Sequence, residues 1–301
     1  VDDIRLTGVV SDPGTAAALE ARFVAADLAE IDLVWTRRDD RFRQLDERPT
    51  YLTSQQARIG GTLRLDKLLP ESFGVSLPLT IRHARSNEQP FYLRRTDVLA
   101  GALDGLRRPE TALTTYQLSF RRNRVGTTAL ERLLLDPLTA LAVAERGETT
   151  TELSRARTRN RQLRVDYAFQ PANRRVRVYL GTHLVDHGTE RQTFRAPVAI
   201  PGESSLTVLP SLSHVWRNRA GLELRPLETV SVQMEYGTLR DLQDYGDSTL
   251  VGRLLRDERG TLLGRDIGFE RERTVTTGLN ASPVVSSWLR PRVSVSSGFA
   301  L

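Results

Sequence analysis

Alternation of apolar and polar residues with a period of two, recurring along most of the chain, constrains this sequence more than any other property. In residues 75–82, Val75, Leu77, Leu79 and Ile81 alternate with Ser76, Pro78, Thr80 and Arg82. Successive strand side chains point to opposite faces, so this stretch is a strand with one apolar and one polar side. An earlier alternating run, residues 58–66, reaches it through Leu69-Pro70-Glu71-Ser72-Phe73-Gly74, whose Pro70 and Gly74 mark a short connection. The unit is a strand, a turn and a strand.

The same unit recurs. Ile31, Leu33 and Trp35 alternate with polar neighbours, and the Ala-rich residues 16–29 before them are read as one long strand rather than a helix. Tyr116, Leu118 and Phe120 share a face. Residues 129–144 are the most apolar of the chain; Pro137 divides them into a short helix and a strand, or into a bent strand. Leu163, Val165, Tyr167 and Phe169 then turn through residues 170–173 into Val176, Val178 and Leu180. Leu222 and Leu224 turn through Pro226-Leu227-Glu228 into Val230, Val232, Met234 and Tyr236, and two more strands lie on either side of Pro283. About eight to twelve strands result, with longer loops near 37–56, 86–110, 187–205 and 240–272 and a helical turn expected in 97–106. The fold class is all-β, an antiparallel meander. The chain is read as one β-rich segment, 1–301, of a larger whole, because strand-like residues stand at both of its ends.

Nowhere does the sequence approach the roughly 18 consecutive apolar residues of a membrane-spanning helix. If it crosses a bilayer it does so as a β-barrel, whose strands carry one lipid-facing and one water-facing side. A soluble sandwich with one solvated face shows the same alternation, and composition leaves the two open. Of the 43 basic residues only Lys67 is lysine, and 37 acidic residues are interspersed among them. No single basic face stands out, which argues against a nucleic-acid partner. Absence of cysteine excludes disulfides and thiolate metal sites.

Candidate chemistry is sparse. His183 and His187 form the one close histidine pair beside His83 and His214, and they are placed in a loop rather than at a metal site. Gly60-Gly61 has no phosphate-binding pattern around it. Asp2-Asp3 and Asp39-Asp40 lie in charged surface stretches without a base or nucleophile nearby. No catalytic residue, cofactor or metal is expected, and the chain is not expected to be an enzyme.

Several phrases together resemble the SprA (also Sov) family, the very large outer-membrane barrel of the type IX secretion system. They are residues 1–9 with Asp12, Gly14 and Thr15; Asp39-Asp40-Arg41-Phe42; Leu69-Pro70-Glu71-Ser72-Phe73-Gly74-Val75 with Pro78; and Pro90-Phe91-Tyr92 with Asp97-Val98. They cover about the first third of the chain in the family's order, and Phe73 stands where the family usually has Trp. The resemblance implies a segment of a large transmembrane β-barrel in the cell outer membrane, with secreted protein cargo in a polar lumen and partner proteins that plug or gate it. Periodicity adds a parity assignment. Ser76, Thr80, Arg82, Arg164, Arg177, Gln233 and Glu235 are the lumen-facing candidates. Val75, Leu77, Leu79, Ile81, Val165, Val178, Val232 and Met234 are the lipid-facing candidates, and Pro70, Gly74 and Pro78 shape the turn.

Overall fold

A computed structural model describes residues 13–44, 50–93, 98–171, 175–202, 205–246, 249–283, 286, 288 and 291–301. Asp2-Asp3, the first resembling phrase up to Asp12, and Asp97 lie outside these. The alternating runs form strands β1 (Ala16–Ala25), β2 (Ala29–Arg38), β3 (Leu52–Arg64), the short β4 (Val75–Ser76), β5 (Pro78–Pro90), β6 (Glu110–Arg122), β7 (Leu138–Thr150), β8 (Ser154–Phe169), β9 (Val176–Thr193), β10 (Leu206–Leu227) and β11 (Val230–Asp241). After a small separate hairpin of β12 (Thr261–Leu262) and β13 (Arg265–Asp266) come β14 (Phe269–Ala281) and β15 (Val293–Ala300). All but β12 and β13 join one 13-stranded sheet, an antiparallel meander in sequence order, with β4 pairing β6 alongside β5. β1 and β15 are its edges, and no pairing joins them among the described residues.

Several expectations are corrected. Residues 16–29 are not one long strand but a hairpin: β1 breaks at Ala26, which adopts a left-handed φ of 47°, and Leu28 N–H donates to Ala25 C=O at 3.0 Å. The connections are shorter than expected, because β5 continues to Pro90 and β9 to Thr193. His183 and His187 therefore sit on a strand, on one face and four residues apart, and not in a loop. Pro226 and Leu227 belong to the 22-residue β10, where a register shift near Leu227 absorbs Pro226, and the turn is Glu228-Thr229. Residues 240–272 hold helix α2 (Leu250–Arg256) and the β12–β13 hairpin, because Thr249 caps the helix by accepting Gly252 N–H at 2.9 Å. The helical turn expected in 97–106 narrows to a 3-10 turn, Ala100–Ala102.

Of the two forms considered for residues 129–144, the structure takes helix then strand: α1 (Ala129–Leu134) precedes β7. Thr128 Oγ1 accepts Glu131 N–H at 3.2 Å, and Glu131 Oε2 accepts Thr127 N–H at 2.9 Å. Arg122 ties the helix to β6, pairing with Glu131 at 2.9 Å and Asp136 at 3.2 Å. The Thr127 N–H, and after it Arg122, hold the Glu131 carboxyl below its ordinary 4.5. A depressed folded-state pKa gives stability above the unfolded value that is lost as pH falls through the folded one. Acidification through and below 4.5 should therefore lower the protection of the Thr127 and Glu131 amides, measured against their intrinsic exchange rate at each pH, before it affects the strands. Unchanged exchange there would show that the carboxylate does not hold the cap.

The connection from β3 to β4 folds as two 3-10 turns, Leu65–Leu68 and Glu71–Phe73. Pro70 precedes the second, Gly74 closes it in the left-handed region at φ 56°, and Pro78 starts β5. Asp66 Oδ1 accepts Leu77 N–H at 2.9 Å and fixes the return of the chain. A Cβ on Gly74 would lie 2.4 Å from Arg124 Cβ, so both φ and space require glycine there.

The sheet has no core. Among the described residues the buried side chains are Ala100, Ser154 and Asp241. The accessible surface is 22,178 Å², against about 12,700 Å² for a compact monomer of 33.8 kDa. Among the described residues no second layer covers either face, which is incompatible with a soluble sandwich burying its inner faces.

Candidate lumen face and the belt behind it

Register settles which side chains share a face. Cα partners across antiparallel strands lie on the same side, and the pairings can be followed from β1 to β15. Val75 aligns with Arg122, Leu79 with Leu118, Val165 with Thr182, Val178 with Leu222, Met234 with Thr277 and Val232 with Leu279. All eight residues expected to face lipid fall on one side, together with Phe23, Ile31, Leu33, Trp35, Ile59, Leu63, Tyr116, Leu163, Leu180 and Leu222. All seven expected to face the lumen fall on the other.

The apolar residues form a belt that slants across the hydrogen-bonded rows. Moving along the apolar face toward the end that carries the connections 39–51, 91–109, 194–205 and 242–268, β2 reaches its first charged residue at Arg37 and β14 at Arg273. The row through Arg37 crosses β6 at Glu110, by way of Gln55 and Asn87. The row through Arg273 crosses it at Phe120, by way of Thr238, Asn218, Thr182, Val165 and Ala140. The belt edge thus slips ten residues over the nine pairings from β2 to β14. At ~3.3 Å per residue and ~4.8 Å between strands this is a strand tilt of about 37° to the belt normal. Trp35, Tyr116 and Trp216 stand at or next to the upper edge of the belt.

The opposite face is polar and densely connected. Arg164 pairs with Asp166 at 2.6 Å, Arg219 with Glu235 at 3.1 Å, and Tyr179 Oη donates to Glu235 at 2.9 Å. Thr62 and Thr80 hydroxyls lie 3.2 Å apart across β3 and β5. A groove of about 450 Å³ is lined by Arg164, Asp166, His183, Arg217, Arg219 and Glu235. Of the expected lumen residues it gathers Arg164 and Glu235; Ser76, Thr80 and Arg82 lie toward β5, while Arg177 and Gln233 are nearer the lower end.

Glycines on this face receive their neighbours' side chains. Cβ atoms built on Gly60, Gly181, Gly221 and Gly278 would come within 2.7 Å of Asp32, 3.1 Å of Asp166, 1.8 Å of Tyr179 and 2.8 Å of Gln233. The glycine at position 60, singled out in the sequence, is thus a seat for a cross-strand carboxylate. Among the described residues no group of three metal-ligating side chains forms. His183 and His187, four residues apart on one strand, are about 13 Å apart, too far to share an ion. Asp39 of the Asp39-Asp40 pair accepts from Thr15 Oγ1 and from Arg37 Nε at 3.2 Å, which ties the β2–β3 connection to the start of β1.

Sequence reasoning missed the upper half of β8, residues 154–160, with the end of β7 before it, and residues 206–221 of β10. A signal for the first was present: Arg155, Arg157, Arg159 and Arg161 occur at every second position. Charge alternating with small polar residues is a strand period as much as hydrophobic alternation is.

No family model matches the sequence, and no curated protein matches it. Solved structures do resemble it in shape. They include the copper transporter OprC (8% identity, TM-score 0.43, covering 95% of this chain and 45% of that one). The ferric-catecholate import receptor Fiu from E. coli K12 is another, in an open form (9%, 0.39, 95% and 52%) and a closed form (10%, 0.34, 94% and 55%). The chain spans about half the length of these solved structures.

Proposed function

We propose that this chain is part of the wall of a transmembrane β-barrel of the cell outer membrane, with its apolar face on lipid and its polar face on an aqueous lumen. The observation that carries the reading is the slanted belt on a sheet without a core. Membrane barrels tilt their strands by about 35–45° and carry an apolar band flanked by aromatic residues, and the belt's offset and its Trp35, Tyr116 and Trp216 margin fit that geometry. A single layer needs lipid on one side and water on the other to satisfy both faces.

In this reading the barrel acts as a passage for solutes or polypeptides rather than as a catalyst, and the described residues of its polar face carry paired charges. The resemblance of the Leu69–Val75 phrase and its companions to the SprA family supports secreted proteins as the cargo, with plug or gating proteins of a type IX-like secretion system as partners. Nucleic acid is not a partner in this reading.

Absence of cysteine makes the test clean. Single cysteines at positions 76 to 82 of the vesicle-inserted chain should react with a membrane-impermeant maleimide at Ser76, Thr80 and Arg82 and be protected at Leu77, Leu79 and Ile81. Uniform labelling would overturn the membrane reading. For the cargo, a full barrel that conducts ions yet never retains a stalled secreted polypeptide would leave a channel without the translocon role.

A further inference from the structure

We propose that Arg146, Arg159 and Arg161 form a binding site for the phosphomonoester of an anionic lipid headgroup on the outward face of the wall. The proposal rests on the assignment of the apolar face to lipid. Arg155, Arg157, Arg159 and Arg161 share that face on β8, and Arg146 on β7 lies directly opposite Arg159. Like charges directly opposed across a strand pair are destabilising, so the sheet places this pair at a cost that an anion between them would remove. Acidic neighbours offset it only in part: Asp186, directly opposite Arg161, is drawn to Arg159, and Arg146 is left without one. Glu148 serves Arg155 at 3.0 Å and Arg157 at 3.5 Å, Asp186 serves Arg159 at 3.4 Å, and Glu190 lies opposite Arg157. Arg146 and Arg161, both exposed, make no ion pair among the described residues.

The three arginines line a groove of about 580 Å³ together with Arg157, Glu148 and Glu190, which pair among themselves or lie opposite one another, and with Gly188 and Leu212 in its wall. Its height selects the ligand. Ala144 and Leu163, the belt residues of β7 and β8, come immediately below Arg146 and Arg161 on the same face. A lipid whose acyl chains lie along Tyr116, Ala142 and Leu163 would carry its headgroup into the groove, whereas a free anion gains nothing from the belt. Arginine forks suit phosphate oxygens bidentately.

The test uses the full chain in phosphatidylcholine vesicles with and without a minor fraction of phosphatidic acid, and bound lipid is read by native mass spectrometry of the released protein. Phosphatidic acid should be retained in preference to phosphatidylcholine. Arg146→Gln and Arg161→Gln should each weaken retention roughly tenfold, as loss of one charge-assisted contact implies. Arg82→Gln on the opposite face should leave it unchanged. Arg146→Gln should also leave stability in pure phosphatidylcholine equal or higher, which loss of a structural ion pair would not. Equal retention by the arginine variants overturns the site, and displacement of the lipid by millimolar inorganic phosphate overturns the lipid as its source. A cysteine at Leu79 reports separately on the membrane reading: if it is protected and phosphatidic acid is still not preferred, only the headgroup site fails.

Discussion

Leu79→Arg is expected to destabilise the vesicle-inserted wall by about 2–4 kcal/mol, the cost of a basic side chain near the bilayer midplane on the lipid face of a barrel. Leu79 lies within the Val75–Ile81 segment of the belt, and its row continues through Leu63, Leu118, Ala142, Leu163 and Leu184. No layer of described residues covers that row, so on the proposed lipid face the guanidinium would have no partner except lipid. Thr80→Arg, one residue away, enters a face that already carries Arg82 and Arg58, and should change stability by less than about 0.5 kcal/mol. Urea unfolding from phosphatidylcholine vesicles measures both. Loss of assembly with Thr80→Arg and none with Leu79→Arg would exchange the two faces throughout the sheet, because the register links every strand.

The second large effect is expected at Gly221. Its direct cross-strand partner is Tyr179, whose ring lies where a Cβ would be, 1.8 Å from the ring Cζ. An aromatic side chain laid over a cross-strand glycine is a known way to pin register in a curved sheet. Here the ring also delivers its hydroxyl to Glu235, which holds Arg219. Gly221→Val must expel the ring, break the hydroxyl contact and leave the Glu235–Arg219 pair without its third member. A loss of about 2–3 kcal/mol follows from overpacking and a lost charge-assisted hydrogen bond. Removing the ring first should abolish most of that loss, so a cycle with Tyr179→Ala should show strong coupling. Gly298→Val is the control: its Cβ would meet nothing closer than Thr276 Cγ2 at 3.9 Å. Additive effects of Gly221→Val and Tyr179→Ala would show that the ring does not occupy the glycine's space in the membrane.

Alternation alone was enough to identify β5, β6, the lower part of β8 and β9, and β11, because these strands carry large apolar residues on one side and polar residues on the other. It failed where the contrast fades. The upper half of β8 alternates arginine with small polar residues, and residues 206–221 of β10 mix Leu, Ser, His and Arg, so neither shows a hydrophobic period. The upper half of β8 and residues 206–215 of β10 lie above the belt, where the apolar face gives way to polar residues. The break at Ala26 was invisible for another reason: a non-glycine residue in the left-handed region carries no turn signal in the sequence.

The sequence by itself determined that the chain is all-β, that its strands are two-faced, and which residues within each strand share a side, since the period of two is a property of the backbone. Only the tertiary structure decided that the faces of successive strands add up to two continuous surfaces with no core between them. Pairing register, which depends on turns, shifts and partners distant in the chain, sets that alignment. The slant of the belt, the seats that Gly60 and Gly221 offer to Asp32 and Tyr179, and the opposition of Arg146 to Arg159 exist only across strands, and no single run of residues contains them.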